Sequence, residues 1–363
     1  MSSLTSLRRR NQDYLLVETI KQVGIANYSL IARLTGLNAE TVRYRVNRHL
    51  QRLGLKVMVN LNFGELGFSS GFMVMVANYG SNDLLFGKLH YLLFSGKAVG
   101  LEKYYCVFSV PYRLKKKYYE FILTLKQEAL LQDYEMIELD WLRFPPFRAE
   151  FYDFGERKWK IDWNRLDLIQ NESGVMTSYL ERDSKVDEFD LKILRSMQEE
   201  PTISIAKIAK ATGMNPRTIR YHHLEHVVKK KLILGNNIRW VAPYQSGKSS
   251  DLMQAVFIFR KVEKVGAANV RKVFNRLPFT WLEGGKEEGS YVAFVDIPIE
   301  LFHETMKYIE ERLSLLSTKP EIVFLDSTKR FQLECEIFDK KWGWSLPGYV
   351  PNTSAIVGEK NEG

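Results

Sequence analysis

With two cysteines in 363 residues, Cys106 and Cys335, far apart and in no CxxC spacing, the chain lacks the material for a disulfide framework. The simpler reading is a reducing, cytoplasmic compartment with each thiol a small buried hydrophobe. No apolar run approaches the ~20 residues of a membrane-spanning helix, so no membrane partner is expected. The basic start, Met1 to Arg10, leads into no long apolar core, and no signal peptide is expected. Glycine-rich phosphate loops, the HExxH pair and a nucleophile elbow are all missing. The expectation is therefore a chain with no enzyme activity, no catalytic residues and no bound cofactor.

What is present is ordinary globular composition with a basic excess. Hydrophobic residues make up 45%, and 52 Lys plus Arg stand against 43 Asp plus Glu, for a net charge of +9. That balance fits a nucleic-acid or anionic partner, and where the charge sits carries more than its total. The chain also repeats itself. Ile31 to Tyr44 lines up without a gap on Ile208 to Tyr221, with eight of fourteen positions identical, and the match reaches back to Asp13 over Asp190 and forward to Leu55 over Leu232. The segment is compositionally mixed, so duplication is the natural account.

The elements after each copy follow one order. After the first come a strand Gly71 to Tyr79, a helix Ser81 to Phe94 opened by Ser-Asn-Asp capping chemistry, and strands near Ala98–Glu102 and Tyr104–Val110. A helix from Leu114 to Leu131 and a strand Tyr134 to Phe144 complete the set. After the second come strand Leu252–Lys261, helix Ala267–Arg276, strands Phe279–Glu283 and Ser290–Asp296, helix Ile299–Leu316 and strand Glu321–Ser327, with a further strand Arg330–Phe338. Both read β-α-β-β-α-β. Each half ends on an aromatic-Asp and a Lys-Trp pair: Tyr152-Asp153 with Lys158-Trp159, and Phe338-Asp339 with Lys341-Trp342. The expected fold class is α+β, two winged helix-turn-helix domains (1–62 and 187–243), each followed by a ferredoxin-like domain (68–159 and 250–342). A polar linker at 160–186, with Asn171 to Gly174 at its middle, and a flexible tail at 343–363 complete the division.

The repeated segment carries the helix-turn-helix signal. Leu30, Ile31 and Leu34 put apolar groups on one face of a short helix, Thr35-Gly36 breaks it, and Leu37 plugs the angle. Asn38 is an N-cap for a second helix whose buried stripe is Val42, Val46, Leu50 and Leu53. In the other copy Asn215 caps and Pro216 takes the first helical position. Opposite Val42 the second helix presents Glu40, Tyr44, Asn47, Arg48 and Gln51, with Arg43 on the flank; apart from the one acid, these suit bases and phosphates of double-stranded DNA in the major groove. The second copy offers Arg217, Arg220 and Tyr221, but Leu224, Glu225 and Val228 where the first has polar or basic groups. Leu232 to Trp240 reads as a hairpin turned by Gly235-Asn236-Asn237, a wing with Arg239 placed to reach a phosphate.

These residues resemble the Lrp/AsnC family of prokaryotic regulators: Ile31-Ala32, Thr35-Gly36-Leu37-Asn38, Thr41-Val42, Arg45-Val46, Gly54-Leu55 and Leu66-Gly67, with Gly289-Ser290-Tyr291 opening a strand of the second α/β half. The resemblance implies a prokaryotic or archaeal transcription regulator with a winged helix-turn-helix and a β-α-β-β-α-β effector and oligomerisation domain. It implies pairing through the α/β domains, as a homodimer or as a pseudo-dimer within this chain, and a small-molecule effector. Gly54 falls one residue late, and the acid that often follows Gly-x-Tyr in the family is missing, so no effector residues carry over.

Two alternatives use the same scaffold. One is an architectural protein binding DNA without sequence preference. The other is an enzyme resembling siroheme decarboxylases, which use Lrp/AsnC-like units in pairs; its tetrapyrrole would need a His-bearing pocket between the α/β halves, where His90 and His303 are the only histidines. His222 and His226 are four apart and could share a metal, but only Glu225 lies near them in sequence. They are read as polar, partly packed helix residues, and no metal site is expected.

Overall fold

The computed structural model describes residues 2–25, 27–78, 80, 82–168, 176–178, 186–241, 252–314, 316 and 319–348. The expected Ser81 cap, the linker centre 171–174 and the tail beyond 348 lie outside them. The chain opens with α1 (Ser2–Val23), α2 (Tyr28–Thr35) and α3 (Ala39–Tyr44), which widens into a π-helical turn at Arg45–His49 and finishes as α4 (Leu50–Arg52), followed by strand β1 (Leu55–Leu61). Then come β2 (Phe68–Ala77), α5 (Asn82–Lys88), β3 (Leu92–Ala98), β4 (Lys103–Pro111), α6 (Lys115–Gln127), β5 (Leu131–Leu139) and β6 (Trp141–Arg143). A small ribbon β7 (Tyr152–Asp153) and β8 (Lys158–Trp159) and a short β9 (Met176–Ser178) lead to α7 (Glu188–Glu199), α8 (Ile205–Thr212) and α9 (Pro216–Tyr221), again widened at His222–Val228. β10 (Ile233–Trp240), β11 (Leu252–Val262), α10 (Lys264–Arg276), β12 (Thr280–Gly285), β13 (Gly289–Pro298), α11 (Phe302–Leu313), β14 (Glu321–Arg330) and the ribbon β15 (Phe338–Asp339) and β16 (Gly343–Trp344) complete it.

The main sheet runs β5-β2-β4-β3-β14-β11-β13-β12-β6-β9. Its first four and next four strands each have the ferredoxin-like order, with the last strand in sequence (β5, β14) beside the first (β2, β11). The expected helix over 81–94 ends at Lys88, and the expected strands near 98–102 and 104–110 are Leu92–Ala98 and Lys103–Pro111, with the turn between them. Asp140 alone separates β5 from β6, yet these strands stand toward opposite ends of the order, so one bent segment wraps the sheet back on itself. The halves join crosswise: β14 pairs with β3 (Leu325 opposite Ala98), and β12 with β6 (Glu283 opposite Arg143).

Strand alternation divides the core into layers. Phe72, Tyr105, Val107, Val256, Ile258, Val292 and Phe294 point between the half-sheets into one shared core. Their neighbours Met73, Cys106, Phe108, Phe257 and Tyr291 point outward to the helices. The shared core is aromatic: Phe94 meets Phe294 and Trp281 with ring centroids 4.9 Å apart in each case. Both cysteines are buried and free, as expected.

The strand expected to fold back as a wing does not. β10 runs straight and pairs antiparallel with β1, Leu55 opposite Trp240 and Met58 opposite Asn237. The strand leaving each helix-turn-helix is therefore paired with that of the other. Each helix-turn-helix is braced by the segment that follows an α/β half. Tyr152 donates from its hydroxyl to the Leu53 carbonyl at 2.9 Å, and the Leu333 amide donates to Gln198 Oε1 at 3.0 Å. Within 160–186, Leu166 is fully buried and Asp167 takes ion pairs from Arg276 and Arg312. At the other end Trp344 packs on Phe68, Tyr91 and Phe338. Trp344, not the exposed Trp342, is thus the counterpart of Trp159.

Candidate nucleic-acid interface

The first motif is built as its caps dictate. Asn27 Oδ1 accepts from the Leu30 amide at 2.9 Å to start α2, and Gly36, at φ 68°, takes the left-handed conformation that ends it. Asn38 Oδ1 accepts from the Thr41 amide at 2.7 Å to start α3. α1 holds α3 and its π-helical continuation from behind. Asp13, nearly buried, takes Arg45 Nη1 at 2.7 Å and His49 Nε2 at 3.0 Å. Arg45 is thereby withdrawn from the surface and fixes the helix.

On the free face Tyr44, Arg48, Gln51 and Arg52 are exposed, and Arg52 Nη1 lies 3.4 Å from the Tyr44 hydroxyl. Arg52 is an addition to the expected set; its place one turn beyond Arg48 was the signal. Arg43 and Asn47 turn sideways. The Arg43 guanidinium sits 5.7 Å from the Tyr28 ring centre, and both residues line a cleft of about 530 Å³ whose opposite wall is Glu200 to Ile208 and His223 of the second motif. The two motifs thus face each other across this cleft, with α3 opposite the start of α8.

The second motif repeats the construction. Gly213 is left-handed at φ 68°, and Asn215 Oδ1 accepts from the Arg217 amide at 2.8 Å with Pro216 at the first helical position. Arg217, Arg220 and Tyr221 are exposed together, while Leu224 and Val228 place apolar surface beside them. Lys229 pairs with Glu225 at 2.8 Å and holds its carboxyl below the usual range, offsetting the one acid expected to repel phosphate.

Arg239 is a correction. With no wing hairpin it is not offered to a phosphate; it donates to Asp296 at 2.7 and 2.9 Å and stacks 3.7 Å from the centre of the Trp281 ring. The side chain is 11% exposed. The two histidines of the α/β parts do not converge either. His90 Nδ1 contacts Glu334 at 2.6 Å, and His303 is exposed on α11. The space between the half-sheets is filled by Phe72, Phe94, Trp281 and Phe294. What sequence spacing missed is the approach of Asp187 and Asp190 to His222 and His226. The alignment of Asp190 on Asp13 was the available signal.

Residues 186–223 match the family model for winged helix-turn-helix DNA-binding domains, which places a DNA-binding domain in the chain. The structure is similar to crystal structures of the siroheme decarboxylase NirDL. One is a co-complex with an iron-uroporphyrin III analogue, with 10% identity, TM-score 0.53, and 89% of this chain and 93% of that one covered. A second NirDL structure gives TM-score 0.52 at the same identity and coverage. At that identity the likeness is one of fold. Escherichia coli AsnC is also similar, at 15% identity over 36% of this chain and 90% of that one, with TM-score 0.28. The family match falls on α7, α8 and α9, the second helix-turn-helix. No curated protein matches the chain. No helix among the described residues is long and apolar enough to cross a membrane.

One expectation is overturned here. A chain without enzyme activity was read from missing motifs, but the scaffold shared over 89% of this chain is that of an enzyme. Absence of a familiar motif therefore excludes no activity on this fold.

Proposed function

We propose that the chain is a cytoplasmic DNA-binding transcription regulator, a tandem duplication of a helix-turn-helix and a ferredoxin-like unit folded as an internal pseudo-dimer. One observation carries the reading: a helix-turn-helix whose second helix presents Tyr44, Arg48, Gln51 and Arg52 to solvent, in a chain whose second motif matches a DNA-binding family. Arg48 and Gln51 read or grip the major groove, and Arg43, Tyr44 and Asn47 contact the flank. Arg217, Arg220 and Tyr221 supply a second, unequal contact. The β1–β10 pairing and the shared cleft fix the distance between the two, which favours an asymmetric site. Association of two chains through the α/β domains would present four motifs, and a small-molecule effector would act by shifting their spacing.

The test is binding to genomic fragments, the protein's own promoter among them, across salt concentrations with competitor DNA. Saturable binding that survives competitor supports a sequence-specific regulator. Salt-sensitive binding competed by every fragment supports an architectural role instead. Arg43→Ala with Arg48→Ala lowers the slope of log affinity against log salt by roughly 0.9 for each phosphate no longer neutralised; an unchanged slope and affinity would remove the first helix as reader.

A second reading rests on one observation, the fold shared with NirDL bound to an iron-uroporphyrin analogue. On that reading the chain is a tetrapyrrole enzyme. Adding iron uroporphyrin to the purified protein decides it: a shifted and saturable absorbance band supports it, and an additive spectrum removes it.

A further inference from the structure

We propose that Asp187, Asp190, His222 and His226 form a four-ligand site for a divalent transition metal ion, Zn²⁺ by its chemistry, clamping the start of α7 to the second reading helix. Their ligand atoms all lie within 4.8 Å of one another. His222 Nδ1 is 3.0 Å from Asp190 Oδ1 and 3.5 Å from Asp187 Oδ2; His226 Nδ1 is 2.9 Å and 3.8 Å from the same atoms. A tetrahedral ion with bonds of 2.0–2.1 Å has ligand-to-ligand edges of about 3.3 Å, in the middle of that set. Two imidazoles and two carboxylates are a borderline donor set that suits Zn²⁺ and its first-row neighbours over Ca²⁺ or Mg²⁺.

Hydrogen bonds of 2.9–3.0 Å to Asp190 account for both rings but leave one Asp187 oxygen over. Asp187 Oδ1 is used by the capping box, accepting from the Phe189 and Asp190 amides, and Asp190 Oδ2 accepts from the Asp187 amide. The other Asp187 oxygen faces both rings at 3.5 and 3.8 Å, too far for a hydrogen bond. Both rings, with centroids 4.6 Å apart, aim the same nitrogen at one fully buried carboxylate. A cation at the centre satisfies all four groups at once.

The first motif supplies the independent comparison. There Asp13 aligns with Asp190 and His49 with His226, but Arg45 stands at the position of His222 and Arg10 at that of Asp187. Arg45 closes the same junction as an ion pair to Asp13 at 2.7 Å. Arginine has no acceptor and cannot ligate a metal. The two copies therefore solve one problem, a buried aspartate between two helices, in two ways. Both differences in the second copy replace a guanidinium by a ligand.

The experiment uses the untagged full-length chain, stripped with chelator, titrated with Zn²⁺ against a chromophoric competitor and with Co²⁺ as a spectroscopic probe. The expected result is one Zn²⁺ per chain, an intense tetrahedral Co²⁺ spectrum without thiolate bands, and a higher melting temperature with metal. His226→Gln weakens affinity by at least about 100-fold, the upper end for losing even an outer-shell partner. His222→Arg rebuilds the arrangement of Arg45, so it keeps the fold and melting temperature of the metal-free protein while losing the metal. No stoichiometric binding by the wild type overturns the proposal, as does binding that persists in both variants. Because the readouts are metal content and cobalt spectrum, failure here leaves the DNA-binding reading standing.

Discussion

The guanidinium of Arg239 lies 3.7 Å from the centre of the Trp281 ring while donating twice to Asp296. Asp296 is 3% exposed, and its only other side-chain donor among the described residues is Gln254 at 3.1 Å. Arg239→Ala would leave that buried carboxylate half-paired, an effect on the order of 3–5 kcal/mol for removing one partner of a buried pair. The expected outcome is a lower urea midpoint with an unchanged salt slope of DNA binding. A changed slope with unchanged stability would return Arg239 to the DNA surface.

The ribbon tryptophans give a paired prediction. Trp159 is 5% exposed and meets Tyr152, Trp240 and Phe279 at ring distances of 5.2, 5.6 and 5.1 Å, tying the first motif and β10 to the second α/β half. Trp159→Ala should cost about 3–5 kcal/mol. Trp342 is 72% exposed. Trp342→Ala should fall within about 0.5 kcal/mol of wild type, although the sequence pattern made it the counterpart of Trp159. Thermal melts of the two variants check both.

That mismatch shows where sequence reasoning stops. The helix-turn-helix was legible because caps, turn glycine and apolar stripe act within a few residues of one another. The β-α-β-β-α-β order was legible from periodicity. The wing was misread because Gly235-Asn236-Asn237 carries a turn signature for other reasons. Asn236 Oδ1 accepts from the Ile25 amide, Asn237 Nδ2 donates to the Pro145 carbonyl, and Gly235, at φ 146°, sits where the β1–β10 register shifts. Those partners are remote in sequence, as are the pairing of β3 with β14 and the approach of Asp187 to His226. No local pattern encodes them.

A glycine in the first half-sheet tests the packing directly. Gly71 on β2 lies opposite Phe108 on β4, and a Cβ there would fall 2.2 Å from the Phe108 ring tip. Gly71→Ala should therefore cost about 1–3 kcal/mol through overpacking. Combining it with Phe108→Leu should cost less than the two single changes added together, since the smaller side chain makes room for the methyl. Denaturant midpoints of the four proteins provide the cycle, and strict additivity would show that the ring moves aside freely.

The cleft between the two motifs should reveal itself in the pH dependence of stability. His223 lines it, and burial pushes its imidazole below the usual 6.5. The folded state therefore favours neutral His223, while the unfolded chain protonates it near the ordinary value. Above that value neither state carries the proton and stability is unaffected. As pH falls through about 6.5 the unfolded state gains a proton that the folded state resists, so stability drops until the lowered folded value is reached. His223→Gln removes this contribution. Urea midpoints measured from pH 8 to pH 5 should give a wild-type minus variant difference that is flat at the alkaline end and falls below about pH 6.5. A difference that stays flat, or rises on acidification, would mean that His223 meets solvent or a carboxylate across the cleft, and that the two motifs do not enclose it in solution.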